Sequence, residues 1–337
     1  VAPGAAIRPR REGNQADRSQ ARARPDRTGG AGARRLIPKA VPAAGGAFAA
    51  FAPAKINLYL HILGRRGDGY HLIDSLIAFA DIGDRVTAAP ARSLSLSVAG
   101  PEAAALAETG DDNLVLRAAR RLKERDRIAD GAALHLDKQL PVASGIGGGS
   151  SDAAAALRAL AALWGRRLGE ADLSAWAALG ADLPACLVAR PLWAGGIGER
   201  LRLADPLPDL AVVLVNPRLA LSTAAVFHAW NGRPGTADGV SAIPRSAAEF
   251  AEALAACRND LTDAAVALMP EIGAVLDRLA RLPGVLIARM SGSGATCFAL
   301  FADRGEARRA GAEMAAAEPG WWVRTGAFLT AAGAGSV

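Results

Sequence analysis

Leu140-Pro141-Val142-Ala143-Ser144-Gly145-Ile146-Gly147-Gly148-Gly149-Ser150-Ser151-Asp152 is the stretch of this chain best suited to chemistry. Four glycines fall within five residues, two hydroxyls and an acid follow, and the run enters alanines with Leu157, Leu160 and Trp164 at helical spacing. Glycines lack Cβ, so the backbone can approach a ligand and turn its N–H groups inward, while Ser150 or Ser151 can cap the helix behind. Together these features make a phosphate cradle. Two better-known phosphate loops are excluded: no Lys-Ser or Lys-Thr follows the last glycine, and the spacing never gives Gly-x-Gly-x-x-Gly.

Other reactive types sit on elements that can be read from their pattern. FAPAKINLYLHILG, from Phe51, alternates as a strand, with Ile56, Leu58, Leu60 and Ile62 on one side and Lys55, Asn57, Tyr59 and His61 on a polar side. A glycine-rich loop, 64–71, ends in Tyr70-His71 and leads into a second extended segment, HLIDSLIAFADIGDRVTAA. SLSLSV (93–98) is another strand, Asn113 is a natural N-cap for the helix that follows, and ALHLDKQLP (133–141) is the strand that delivers the glycine loop. Asp182 precedes Leu183-Pro184 at a helix start, where a carboxylate also serves as a cap.

Further on, PLWAGGIGERLRLA (191–204) reads as a hairpin and LAVVLVNP (210–217) as a buried strand, with Asp205-Pro206-Leu207-Pro208 as a linker between two domains. A capped helix begins at Ser222-Thr223, placing Phe227 on the face of Thr223. Helices follow at 246–257 and 259–281, the second interrupted by Pro270 and Gly273. Strands 285–292 and 295–301 flank Gly292-Ser293-Gly294, and a helix and a closing strand complete the chain.

PVASGIGGGSSDAAAAL resembles the central motif of the GHMP kinases, small-molecule kinases whose loop wraps the ATP phosphates. AKINLYLHILGRRGDGYH, GADLPACL and Gly292-Ser293-Gly294 are similar to further motifs of that family in the same order, so the resemblance spans about residues 51–330. It implies an α+β fold of two domains, ribosomal-protein-S5-like in its N-terminal half and ferredoxin-like in its C-terminal half. The corresponding organisation is a disordered basic extension (1–46), an ATP-binding and catalytic domain (47–205), a C-terminal domain (206–331) and a tail (332–337).

The resemblance also distributes roles. It makes Asp182 the catalytic base and Lys55 its electrostatic partner, and has Asn57 orient the alcohol or a phosphate oxygen. Pro141 through Ser151 bind ATP, Asn113 lies near the adenine, and Gly292, Ser293 and Gly294 cover the phosphates. Mg²⁺ is implied to neutralise the β and γ phosphates, with Ser151 a conjectural ligand. The Asp-Gly-Tyr-His element is similar to that of the branch acting on a cytidyl diphosphate substrate, in which an aromatic pair sandwiches cytosine; Tyr70, Phe227 and His71 match, with Thr223 on the same helical face. A flat pyrimidine suits offset aromatic stacking, and histidine can read its amino edge. The implied reaction is ATP-dependent phosphorylation of the 2-hydroxyl of 4-diphosphocytidyl-2-C-methyl-D-erythritol in non-mevalonate isoprenoid precursor biosynthesis. A homoserine- or mevalonate-type kinase and a non-catalytic nucleotide or nucleic-acid binder are the alternatives.

Composition limits the remaining choices. The 337 residues are 51% apolar and carry a net charge of +6, but residues 1–46 hold ten Lys or Arg against three acids, so the rest is close to neutral and argues against a nucleic-acid partner. Cys186, Cys257 and Cys297 have no metal-type spacing and fit a reduced cytoplasm. No stretch approaches eighteen continuous apolar residues, which argues against a membrane span, and the expected state is a monomer or homodimer.

Overall fold

Two very long strands dominate the first half of the chain. β2 (Phe48–Arg65) and β3 (His71–Ala91) run antiparallel across the glycine-rich loop, and their register slips between Pro53 and Lys55, Asn57 and Tyr59, and Ile62 and Gly64. The structure, a computed structural model, describes residues 37–106, 112–169 and 172–329. β1 (Val41–Pro42) pairs with the start of β2; β4 (Leu94–Ala99) and β5 (Gly131–Asp137) add to the far end of β3, and the hairpin β6 (Leu192–Gly196) and β7 (Arg200–Leu203) adds to its beginning. The order is β1-β2-β3-β5-β4, with β6 on β3 and β7 on β6; only β4 and β5 are parallel.

Helices α1 (Leu114–Arg125), α2 (Gly148–Leu163), α3 (Leu173–Ala177) and α4 (Leu183–Val188) belong to this half. α2 is buried from Ser151 to Ala161 because its alanines let the backbone lie close to β2 and β3. Arg158, within that run, donates to the carbonyls of Cys186, Leu187 and Phe51, tying α2 to α4 and β2. Burial pulls its pKa down to about 10.

The second half is a four-stranded antiparallel sheet ordered β11-β8-β10-β9. Its strands are β8 (Ala211–Asn216), β9 (Ile287–Met290), β10 (Cys297–Phe301) and β11 (Trp322–Ala327), joined by α5 (Thr223–Ala229), α6 (Ala247–Ala255), α7 (Thr262–Leu268), α8 (Glu271–Ala280) and α9 (Arg304–Ala317). The halves share a core in which Ile56, Leu58 and Leu76 meet Leu214, Phe250, Leu254 and Phe298. Backbone contacts also cross: Leu60 N–H donates to Arg258 O at 3.0 Å, and Leu329 N–H to Phe79 O at 2.7 Å.

Several expectations change. The supposed polar side of β2 does not face water: Lys55 lies against Gly147 and Asp182, Asn57 between Ser75 and Gly292, and Tyr59 and His61 near Gly239 and Asp238, so all four are buried. Gly273 lies inside α8, and the break in the 259–281 segment falls at Met269-Pro270 alone. Ordered structure begins before residue 47: Ile37 is buried and Val41–Pro42 pairs with Phe48–Ala49, so the basic extension does not reach to residue 46. Residues 1–36, the start of the 170–180 helix and the tail 332–337 lie outside the described residues.

Candidate active site

Lys55 and Asp182, 127 residues apart, meet as an ion pair with Nζ 2.9 Å from Oδ2. β2 supplies the lysine, which is 5% exposed, whereas the Asp182 side chain is 42% exposed at the start of α4. Asp182 occupies the N-cap position but makes no capping hydrogen bond; its carboxylate turns to the lysine instead.

The glycine loop is built directly onto this pair. Lys55 N–H donates to Ile146 O at 2.9 Å, and a Cβ at Gly147 would stand 3.1 Å from the Lys55 Cβ. Gly147 has φ 64°, which favours glycine and turns the chain into α2. Ser151 N–H makes the bond to Gly147 O, leaving the N–H groups of Gly148, Gly149 and Ser150 outside the helical ladder at the positive end of α2. Neither serine caps this helix, because Gly147 is its N-cap. Ser151 is wholly buried and donates its hydroxyl to Pro53 O at 2.7 Å. Earlier in the loop, Ser144 closes a turn by donating to Pro141 O, with Val142 half-buried and Ala143 exposed between them.

Gly292, Ser293 and Gly294 meet the loop from the second half. A Cβ at Gly145 would stand 2.5 Å from Gly294 O, and one at Gly292 would stand 2.9 Å from Gly145 O, so only glycine fits on both sides. Ser291 Oγ accepts from Asn57 N–H and donates to Gly145 O, locking β2, this turn and the loop together. Asn57 Nδ2 donates to Ser75 Oγ at 2.8 Å, while its buried Oδ1 has no partner. Ser293 is buried, and its hydroxyl lies 2.8 Å from that of Thr223 at the start of α5.

The predicted aromatic group is partly assembled. His71 and Phe227 have ring centroids 5.2 Å apart at a tilt of 32°, and burial with the nearby Arg65 lowers the His71 pKa, favouring neutral imidazole. Tyr70 is 60% exposed, and among the described residues its ring has no aromatic partner. Asn113 caps α1, accepting from Val115 N–H at 2.9 Å.

Sequence reasoning missed a buried triad beneath the loop. Lys138 Nζ lies 2.5 Å from Asp84 Oδ2 and 2.8 Å from Asp152 Oδ2, and a Cβ at Gly148 would come within 3.3 Å of that ammonium. Burial is the largest cause raising the Asp152 pKa above its ordinary value, and Asp84 adds to it. For Lys138, burial acts downward but the two carboxylates prevail and raise its pKa. A lysine at the end of the strand entering the glycines was the available signal; Asp84 had none.

The model described as GHMP kinases N terminal domain matches residues 113–190, and GHMP kinases C terminal matches residues 240–320. The 4-diphosphocytidyl-2-C-methyl-D-erythritol kinase of Paramagnetospirillum magneticum is 49% identical over 284 residues, covering 84% of this chain and 99% of the relative. The protein of that name from Cereibacter sphaeroides is 53% identical over 277 residues, covering 81% and 96%. A crystal structure of 4-(cytidine 5'-diphospho)-2C-methyl-D-erythritol kinase is similar with a TM-score of 0.68 at 35% identity, covering 83% of this chain and 98% of that one. A homoserine kinase from Cytophaga hutchinsonii shares the fold alone, with a TM-score of 0.64 at 18% identity over 86% and 96% of the chains.

Proposed function

Because the chain belongs to the 4-diphosphocytidyl-2-C-methyl-D-erythritol kinase family of the GHMP kinases, we propose that it transfers the γ-phosphoryl group of ATP to the 2-hydroxyl of that cytidyl diphosphate alcohol. The observation that carries the reading is the Lys55–Asp182 pair packed against Gly147, where the free N–H groups of α2 begin. Proton acceptor, cation and anion cradle thereby stand together.

In this reading Asp182 takes the proton from the attacking hydroxyl, whose pKa is far above neutrality. Lys55 draws charge from the transferring phosphoryl group, and the N–H groups of Gly148, Gly149 and Ser150 hold the phosphates in place. The unpartnered Asn57 Oδ1 is an acceptor for a substrate hydroxyl. Magnesium, when bound, neutralises charge on the β and γ phosphates. Among the described residues no cluster of three acidic, histidine or cysteine side chains exists to cage it. That donor set suits an ion held mainly by phosphate oxygens and water, with the half-buried Ser150 hydroxyl as the nearby protein oxygen.

Tyr70, His71 and Phe227 form the cytosine site in this reading, with Thr223 and Ser293 at its junction with the phosphate loop. Asn113, at the head of α1, is placed near the adenine. The two domains divide between Leu203 and Ala211, the first half S5-like and the second ferredoxin-like. No helix among the described residues is long and apolar enough to cross a membrane, and the three buried unpaired cysteines support a cytoplasmic setting. The experiment is direct: purified protein receives ATP, Mg²⁺ and, separately, the cytidyl-linked methylerythritol, mevalonate and homoserine. ADP is expected with the first alone; ADP with either of the others overturns the reading.

A further inference from the structure

Trp230 belongs to no motif, yet its ring packs against the aromatic group. It is the C-terminal cap residue of α5 and is half-buried. Its ring is perpendicular to that of His71, at 89° with centroids 5.4 Å apart, while Phe227 covers the same imidazole closer to parallel. The second side-chain torsion of histidine is intrinsically broad, so the orientation of this imidazole is set by its neighbours.

Trp230 is itself held. A Cβ at Gly232 would stand 2.8 Å from the indole Nε1 and 3.0 Å from Cε2, so the backbone there runs flush against the ring. The indole also lines a cavity of about 480 Å³, together with Arg233, Asp263, Leu276 and Met290. Trp230 thus borders both that space and the His71 ring.

We propose that Trp230 is a positioning residue for base selection, holding the His71 imidazole in one orientation so that cytosine is accepted in preference to uracil. This inference rests on the cytosine-site reading given above. The two bases exchange donor and acceptor at adjacent ring positions, and a neutral imidazole carries one donor and one acceptor nitrogen. The imidazole proton can sit on either nitrogen, so what Phe227 and Trp230 fix is where those nitrogens lie: the clamped ring meets the base edge at one angle, which suits the amino edge of cytosine, and a ring free to turn loses that alignment.

The test is calorimetric titration of wild-type protein, W230A and W230F with CDP and with UDP, in the absence of ATP. Wild-type protein is expected to prefer CDP. W230A loses about tenfold of that preference, the worth of roughly 1.4 kcal/mol, and W230F, which keeps a ring in place, retains most of it. In turnover W230A raises the KM for the cytidyl substrate and leaves kcat and the KM for ATP unchanged. By NMR the His71 pKa in W230A moves up toward its ordinary value as burial is relieved, with Arg65 the charged group facing it. Should W230A fail to fold, W230L replaces it under the same expectations. An undiminished CDP preference in the folded variant overturns this inference and leaves the cytosine site standing; a wild-type protein without that preference overturns both.

Discussion

Replacing Asp182 by Asn separates the catalytic claim from a structural one. The carboxylate makes no capping bond, and its one ion pair, to Lys55, is open to water on the aspartate side, 42% exposed. Asparagine keeps an oxygen to accept from the Lys55 ammonium. The stability cost is therefore that of a solvent-screened pair, about 1 kcal/mol or less. Loss of a positioned base costs roughly 10²–10⁴ in kcat, equivalent to about 3–5.5 kcal/mol of barrier. Turnover is followed as ADP release with saturating ATP, Mg²⁺ and the cytidyl substrate, and stability by thermal denaturation of the same preparation. A kcat within threefold of wild type would refute the base assignment. A large fall in turnover accompanied by an equally large loss of stability would return Asp182 to a structural role.

Tyr70→Ala removes an exposed ring from the base site; the KM for the cytidyl substrate should rise by the worth of one stacked base, roughly 1–3 kcal/mol, with the KM for ATP nearly unchanged. An equal rise in both would remove Tyr70 from the base site. Lys138→Met leaves the buried Asp84 and Asp152 without their cation and should cost about 3–5 kcal/mol in chemical denaturation, whereas Asp152→Asn, which relieves the crowding of two acids on one ammonium, should cost less. The opposite order would refute this reading of the triad. His61 is wholly buried: its Nε2 accepts from Arg258 N–H, and its Nδ1 lies 3.2 Å from Asp238 Oδ1 but outside hydrogen-bonding geometry. Burial and Arg258 lower its pKa, against Asp260, Asp238 and Asp74. Its stabilising contribution is thus full above the ordinary value of 6.5 and lost as pH falls through the folded-state pKa. Melting temperature should drop between pH 7 and 5 in wild type and drop less in His61→Gln; parallel curves would refute this.

Local signals explain what the sequence revealed. A glycine loop followed by an alanine run can scarcely be anything but a tight turn entering a close-packed helix, and Gly145, Gly147 and α2 appear where that logic puts them. Leu183-Pro184 mark the helix start at Asp182, while its role as a base is legible only through the resemblance of GADLPACL to the family motif. Alternation in β2 gave its strand character but not its surroundings, because a period of two says which residues share a side and not what covers that side. The glycine loop with Asp182 covers Lys55, and the second half reaches Asn57 and His61, so all three are buried rather than solvated. The same limit hid the Lys138 triad, whose members are brought together from 84, 138 and 152 by packing alone. Trp230 escaped notice because a tryptophan after a short helix looks like any core anchor until its angle to His71 is seen.

The most direct measurement is a crystal structure with a non-hydrolysable ATP analogue, Mg²⁺ and the cytidyl alcohol. The γ-phosphate is expected against the N–H groups of Gly148 to Ser150, the 2-hydroxyl within hydrogen-bonding distance of Asp182, and Lys55 beside both. A complex with the alcohol bound away from Asp182, or the triphosphate away from the start of α2, would contradict this.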